Sequence, residues 1–454
     1  MAKAKTVFRC SECAAEAPQW TGWCSSCGET GTLAEAIASG GSRQRHLSLA
    51  PSATAVPIAE ATGGGVAPEP TTIGEADRVL GGGLVPGSVT LLGGEPGVGK
   101  STFLLHLAAA VARAGRRCLY VTAEESAQQV AARAERIGAV ADGLWLAAET
   151  VLPEVLRLVD DVEPQLLVVD SVQTLVDPEL GAVAGSVGQV RGCAQVLVGE
   201  AKRRGLMVVM IGHVTKDGGL AGPKVLEHVV DTVLSFEGER HHALRLLRAT
   251  KHRFGGTHEL GLFEMGDGGL AGVPDPSALF LADRQVGIPG SVVAPVLDGQ
   301  RPLLVEVQAL VVDTQAPMPR RTVQGIDSGR LAQVLAVLER RAGLYFGKSD
   351  VHVAISGGAR VREPGADLAI ALAVASAKTD RPVSPNLVAC GEIGLCGGLR
   401  QVQGTERRMA EAARLGFATA VVPASAPDPP SGLRALRTGS LLDAVTAARL
   451  VNGA

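Results

Sequence analysis

The chain has 454 residues, a hydrophobic fraction of 46%, an aromatic fraction of 3% and a net charge of −3. That length allows two or three domains with cores built mainly from Ala, Val and Leu, and the near-neutral balance excludes a global field drawing the protein onto nucleic acid. The opening MAKAKTVFRC has basic residues with no apolar stretch behind them, and no run of about 18 apolar residues occurs anywhere, so neither a secretory leader nor a membrane span is expected and the chain reads as cytoplasmic.

Four of the eight cysteines fall in the first 27 residues, as Cys10-x2-Cys13 and Cys24-x2-Cys27. Each pair puts two sulfurs on one tight knuckle, and two facing knuckles make a four-thiolate tetrahedral Zn2+ site. Two disulfides are the rival, disfavoured in a reducing compartment. So short a segment cannot build a core, and the metal would supply its folding free energy. Lys3, Lys5, Arg9, Trp20 and Trp23 suit contact with single strands or with a protein partner, and the sequence does not choose. The Gly-, Ser-, Pro- and Ala-rich stretch that follows has no sustained period and reads as a linker. The expected division is a zinc finger over 1–33, a linker over 34–70, an ATPase over 71–272 and a second α/β domain over 287–454.

From Thr71 strands alternate with helices, which predicts a mainly parallel, right-handed sheet. SVTLLGG is a buried strand and TFLLHLAAAVARAG the helix behind it. Ser126 with Gln129 and Ser186 with Gln189 carry the capping-box signature of two further helices. After Asp231 three segments (TVLSFEG, HALRLLRATKHRFG and THELGLFEM) read as antiparallel strands added at one edge. Beyond Gly287 strands are expected at 291–297 and 303–312, then a helix from Ser328, the strand VHVAIS, the helix DLAIALAVASA and the strands LVACGEI and TAVVP.

Between the first strand and helix, Gly94-Glu95-Pro96-Gly97-Val98-Gly99-Lys100-Ser101, followed by Thr102, fits the phosphate-binding loop of an ATP site. Its glycines turn backbone N–H groups toward the phosphates, Lys100 reaches the β and γ oxygens, and the Ser101 hydroxyl coordinates Mg2+. LLVVD ends in Asp170, the second magnesium group expected at a strand tip. Hydrolysis also needs a group that orients or deprotonates water. Glu124 or Glu125, at the end of CLYVTAEE, meets that need, with Glu124 favoured. His213 ends VVMIGH, where it can hydrogen-bond the γ-phosphate, and the following glycine-rich loop carries Lys216 and Lys224. That loop is either a DNA-contacting segment or a solvated one.

The set GEPGVGKST, LYVTAEES, LLVVDS, IGHVTKDG and ATKHRFG resembles the RadA (Sms) family of bacterial DNA repair proteins. The resemblance covers nearly the whole chain. It implies a RecA-like P-loop ATPase core assembled into hexameric rings. The implied activity is that of a recombination helicase, which drives branch migration on single-stranded and branched DNA and extends D-loops with the RecA recombinase. The family signature K-N-R-F-G stands here as Lys251-His252-Arg253-Phe254-Gly255, with His in place of Asn. Lys251 and Arg253 keep the positive charge that could reach a neighbouring subunit's γ-phosphate or the DNA strand.

The stretch Ser328–Pro423 resembles the proteolytic domain of the Lon protease, which attacks with a Ser activated by a Lys. Aligned on the motifs, the Ser position falls at Gly365 and the Lys position near Glu406. Neither can act in the missing role, so the domain is expected to be inactive as a protease and to serve as a scaffold. Arg320, Arg321, Arg330, Arg340, Arg341 and Lys348 are read as a local basic patch or a solvated face. An ATP-driven DNA motor is the leading reading; a nucleotide-switched clamp or loader and an ATP-dependent protease are the alternatives.

Overall fold

The computed structural model describes residues 6–13, 15–17, 19–37, 67–213, 225–238 and 243–451. Lys3, Lys5, most of the 34–70 stretch and the loop with Lys216 and Lys224 lie outside them. The chain divides into two compact units, up to Pro274 and from Asp275. Among the described residues no helix is long and apolar enough to cross a membrane.

The first unit opens with β1 (Thr6–Cys10), β2 (Glu16–Ala17) and β3 (Leu33–Ile37), an antiparallel sheet ordered β2-β1-β3. It buries Cys10, Cys24 and Leu33. That is too little apolar area to hold such a segment together.

The larger sheet has nine strands. Helix α1 (Gly74–Val79) precedes β4 (Val89–Gly94), α2 (Lys100–Arg113), β5 (Cys118–Thr122), α3 (Ala127–Arg136) and β6 (Leu144–Ala148). Then come α4 (Leu152–Val162), β7 (Leu166–Asp170), α5 (Val187–Arg204), β8 (Met207–His213), β9 (Thr232–Glu237), β10 (Leu244–His252), β11 (Leu260–Gly266) and β12 (Gly269–Gly272). The order is β12-β11-β10-β9-β4-β8-β7-β5-β6. Strands β4 to β9 run parallel, and β10 to β12 add antiparallel at the β9 edge, as expected. Because both faces are covered, β4, β5 and β7 are buried at every position. One apolar layer gathers Leu92, Phe103, Tyr120 and Val168. The other gathers Leu91, Val121, Val169 and Leu197. Ser126 and Gln129 form the full capping box of α3. At α5 only half of that signature holds. Ser186 caps the helix, but the Gln189 amide turns away to donate to the carbonyls of Asp177 and Ala182, tying down the preceding loop.

The second unit contains α6 (Pro276–Leu281), β13 (Ser291–Asp298), β14 (Arg301–Asp313), β15 (Arg321–Gln324), α7 (Ser328–Ala342), β16 (Ser349–Ile355) and α8 (Asp367–Thr379). It ends with β17 (Leu387–Ala389), β18 (Glu392–Ile393), β19 (Leu399–Arg400), α9 (Thr405–Arg414), β20 (Thr419–Pro423), β21 (Arg434–Thr438) and α10 (Leu441–Ala447). Seven strands form a mixed sheet ordered β15-β16-β14-β13-β17-β20-β21. The Ala-rich α8 packs against β13 and β14 and is buried at every residue from Asp367 to Ser376. The apolar run LVACGEI is not one strand. It breaks at Cys390 and Gly391, so that β18 leaves the main sheet and pairs with β19. A Cβ on Gly391 would meet the Pro423 ring at 2.9 Å, so only Gly fits at that break.

Candidate ATP site

Parallel strands deliver polar residues to one edge of a sheet. Four neighbouring strands do so here: β4 ends at Gly94, β8 at His213, β7 at Asp170, and β5 runs into Glu124 and Glu125. Gly94 is register-paired with His213, and Thr122 with Asp170. The turn after β4 enters α2 through Gly99, whose φ of 109° is left-handed. That left-handed conformation is what calls for Gly here, since the nearest atom to a Cβ, Met265 Cε at 2.6 Å, is the movable end of a flexible side chain.

Lys100 is 4% exposed, and its ammonium donates to the carbonyls of Gly94 at 2.9 Å and Glu95 at 3.0 Å. Burial lowers its pKa, opposed by the charges of Asp170 and Glu124. Asp170 is also buried, and burial raises its carboxyl, opposed by hydrogen bonds from Ser101 and Tyr120. The Ser101 hydroxyl thus lies on the side of the Asp170 carboxylate, an arrangement compatible with one Mg2+ held between them. Glu124 accepts a hydrogen bond from the Ser171 hydroxyl at 2.5 Å. Glu125 is committed elsewhere: both its oxygens are held by Arg133 Nη2, at 2.6 and 2.5 Å. Both acids act on the Asp170 carboxyl, but only the Glu124 charge also acts on Lys100. Arg245, 6% exposed at the start of β10, donates from Nε to the Val98 carbonyl at 2.9 Å and braces the loop from the side. Tyr120, Ser171, Arg133 and Arg245 gave no signal in the sequence.

Lys251 and Arg253 are not brought to this edge. Strand β10 runs antiparallel to β9, so its end lies level with the start of β4: Arg253 N bonds to the Asp231 carbonyl, and Asp231 N to that of Val89. From Val89 to Gly94 is about 16 Å along a strand. Lys251 donates to the carbonyls of Glu227 at 2.5 Å and Val230 at 2.7 Å, and Arg253 pairs with Asp231 at 3.3 Å. His252 bridges Thr232 Oγ1 at 2.9 Å and the Leu80 carbonyl at 3.2 Å, which gives this substituted position a packing role.

In the cysteine cluster all four sulfurs lie within 4.8 Å of one another. Cys10 and Cys27 are 3.7 Å apart and Cys13 and Cys24 3.5 Å. Zn–S bonds of about 2.3 Å put sulfurs about 3.8 Å apart on a tetrahedron, so the donor set fits that ion. Despite burial, hydrogen bonds bring the Cys10 thiol down to about 6. Burial and then the neighbouring sulfurs push Cys27 up to about 12, so four thiolates coexist only around a cation. Trp20 and Trp23 are exposed beside them.

The second unit answers differently at its aligned dyad. Glu406 is exposed on α9, while Arg408, two residues on, is 1% exposed and points inward. Its guanidinium is bidentate on Glu363, with Nη1 to Oε1 at 2.5 Å and Nη2 to Oε2 at 2.8 Å. A Cβ on Gly365 would lie 2.6 Å from both Arg408 Nη1 and Glu363 Oε2, so the ion pair fills the space a serine would use. Arg320, Arg321, Arg340, Arg341 and Lys348 are exposed; Arg321 also donates to the carbonyls of Ser349 and Phe346, and the half-buried Arg330 pairs with Asp367.

A phosphate-binding loop on the carboxyl edge of a mainly parallel sheet, preceded by a cysteine knuckle and followed by a Lon protease-like unit, defines a RecA-like P-loop ATPase. Residues 70–219 match the family described as AAA domain, and 331–426 the one described as subunit ChlI of Mg-chelatase. The DNA repair protein RadA of Mycolicibacterium smegmatis is 47% identical over 98% of this chain and 97% of its own. That of Mycobacterium tuberculosis is 47% identical over 98% and 93%, and that of Bacillus subtilis 41% over 98% and 99%. The chain belongs to the RadA family of DNA repair proteins. A KaiC-like protein from Pyrococcus horikoshii covers 46% of the chain at 21% identity with a TM-score of 0.37.

Proposed function

We propose that the protein is an ATP-driven DNA motor of recombination and repair, extending D-loops and driving branch migration with the RecA recombinase on single-stranded and branched DNA. Lys100 and the amides of 94–102 bind the triphosphate, and Ser101 with Asp170 holds Mg2+, which supplies charge neutralisation at the phosphates. Glu124 orients or deprotonates the attacking water, and the Ser171 hydroxyl fixes its side chain. His213 senses the γ-phosphate. The four cysteines bind a structural Zn2+. Lys216 and Lys224 contact DNA from the loop after β8.

The observation that carries this reading is the separation of charges: the cations of Lys251 and Arg253 sit at the sheet edge opposite their own phosphate loop. They complete a site only in a neighbouring subunit, as in a hexameric ring, and stabilise charge on its transferring phosphoryl group. To do so they exchange the carbonyls of Glu227 and Val230 and the Asp231 carboxylate for phosphate oxygens.

The Lon-like unit then serves as scaffold, inactive as a protease, a reading supported by the Arg408–Glu363 pair beside Gly365. The test is ATP turnover and strand displacement on a forked substrate. Lys100→Ala and Lys251→Ala each abolish both, and mixing the two proteins recovers part of the turnover, because some interfaces then pair an intact loop with an intact finger. Turnover undiminished in Lys100→Ala refutes the site. No recovery on mixing refutes the shared one. Turnover without strand displacement favours the nucleotide-switched clamp or loader.

A further inference from the structure

We infer that Tyr120 is a positioning residue for magnesium, its phenol fixing the plane of the Asp170 carboxylate. The inference rests on the reading of Asp170 as a magnesium group. Tyr120 is 1% exposed in β5, and its hydroxyl donates to Asp170 Oδ2 at 2.7 Å. The ring lies in the apolar layer beneath α2, together with Phe103 and Phe236, which stack on each other, and Phe263, which meets both edge-on. Packing alone is served there by phenylalanine. A buried hydroxyl is costly unless it is hydrogen-bonded, and the partner it meets is the acid at the tip of the adjacent strand. The chain has two tyrosines against eight phenylalanines, so an aromatic with a hydroxyl at this spot is not the composition's default.

The geometry suits orientation and no other part in the reaction. Asp170 ends β7, where two soft side-chain torsions would let its carboxylate turn. Tyr120 comes from the neighbouring strand two residues below the level of Asp170, since Thr122 is the residue paired with it. The phenol therefore rises from the core side and takes one oxygen. A phenol keeps its proton at ordinary working pH, so the hydroxyl is the donor and the carboxylate the acceptor. Mg2+ demands near-ideal octahedral geometry at about 2.0–2.1 Å. A carboxylate free to turn binds it more weakly, and losing such a supporting partner typically costs about 10–100-fold in metal affinity.

The test is Tyr120→Phe, which keeps the ring. Melting temperature and metal-free ADP binding check that the loop and core are intact. At fixed ATP the Mg2+ concentration giving half-maximal turnover rises about tenfold, while kcat at saturating Mg2+ stays within about twofold and ADP gains correspondingly less affinity from added Mg2+. An unchanged Mg2+ dependence overturns the inference, and so does a loss of turnover that added Mg2+ does not repair. Asp170→Asn separates the two claims. If it also leaves the Mg2+ dependence unchanged, the assignment of Asp170 fails; if it alone destroys that dependence, only the role of Tyr120 fails.

Discussion

The carboxyl edge of the nine-stranded sheet and the aligned dyad position of the Lon-like unit are built from the same materials with opposite results. At the first, Lys100, Asp170 and Glu124 converge around a turn in which Gly99 leaves backbone room, and the buried lysine is satisfied by carbonyls that a phosphate can replace. At the second, Arg408 and Glu363 also bring opposite charges together below the surface, but they neutralise each other bidentately and occupy the space beside Gly365. At the phosphate loop the lysine is held by main-chain carbonyls and the acids by the hydroxyls of Tyr120 and Ser171; at the dyad position the two opposite charges are joined. Residue types alone do not tell the two apart; their bonding partners do.

The acids after β5 separate a reacting charge from a structural one by the widest margin. Glu124→Gln is expected to lower ATP turnover by about 10²–10⁴-fold, the usual contribution of a general base, with nucleotide affinity retained. Glu125→Gln is expected to lower turnover less than about tenfold, because it loses only the Arg133 tether of α3. Single-turnover hydrolysis with both proteins distinguishes them. Equal losses would mean that the Arg133 pair belongs to the reaction.

At the second site the same logic predicts stability in place of activity. Arg408→Met leaves Glu363 partly buried without its cation and is expected to destabilise the 275–454 unit by about 3 kcal/mol, the lower end for breaking a buried pair. Its thermal transition moves down while ATP turnover is unaffected. Gly365→Ser with Glu406→Lys restores the dyad's letters without its space, and no ATP-dependent casein cleavage is expected. Cleavage by that double variant would show that the Arg408–Glu363 pair yields to a serine and that the unit keeps a working pocket.

The strands that carry the ATP site were legible because each is an apolar run ending in glycine or in a polar residue: LLGG, LLVVD, VVMIGH. The antiparallel edge was legible from the change of rhythm after Asp231. What could not be read depends on partners far apart in the chain. Glu124 and Glu125 are equivalent until Arg133 folds back on one of them. Tyr120 looks like any apolar strand residue until Asp170 meets its hydroxyl. Arg408 reads as a solvated helix position, since arginines are seldom buried without a partner, and that partner, Glu363, is 45 residues away. LVACGEI looks continuous because its apolar character persists through Gly391, where the approach of the Pro423 ring ends the strand.

The smallest effect concerns two buried acids. Asp170 and Asp367 are both raised by burial, but Asp170 has hydroxyls, of Tyr120 and Ser101, set against that burial, whereas Asp367 has Arg330 at 2.9 Å and the Ile393 amide at 3.3 Å. Burial pushes the Asp367 carboxyl up to about 6, opposed by Arg330, with Glu392 and Glu363 raising it further. A folded-state value above the unfolded one means that the folded unit holds the proton more tightly. This group's contribution to stability is therefore full below about pH 4 and is lost as pH rises through 6, by no more than about 3 kcal/mol. In Asp367→Asn nothing titrates at this position. Between pH 4 and 7 the melting temperature of the 275–454 transition should fall further in the wild type than in the variant, a difference that cancels the carboxylates common to both. Parallel pH profiles would mean that Arg330 keeps Asp367 ionised throughout, and that the two acids differ less than their surroundings suggest.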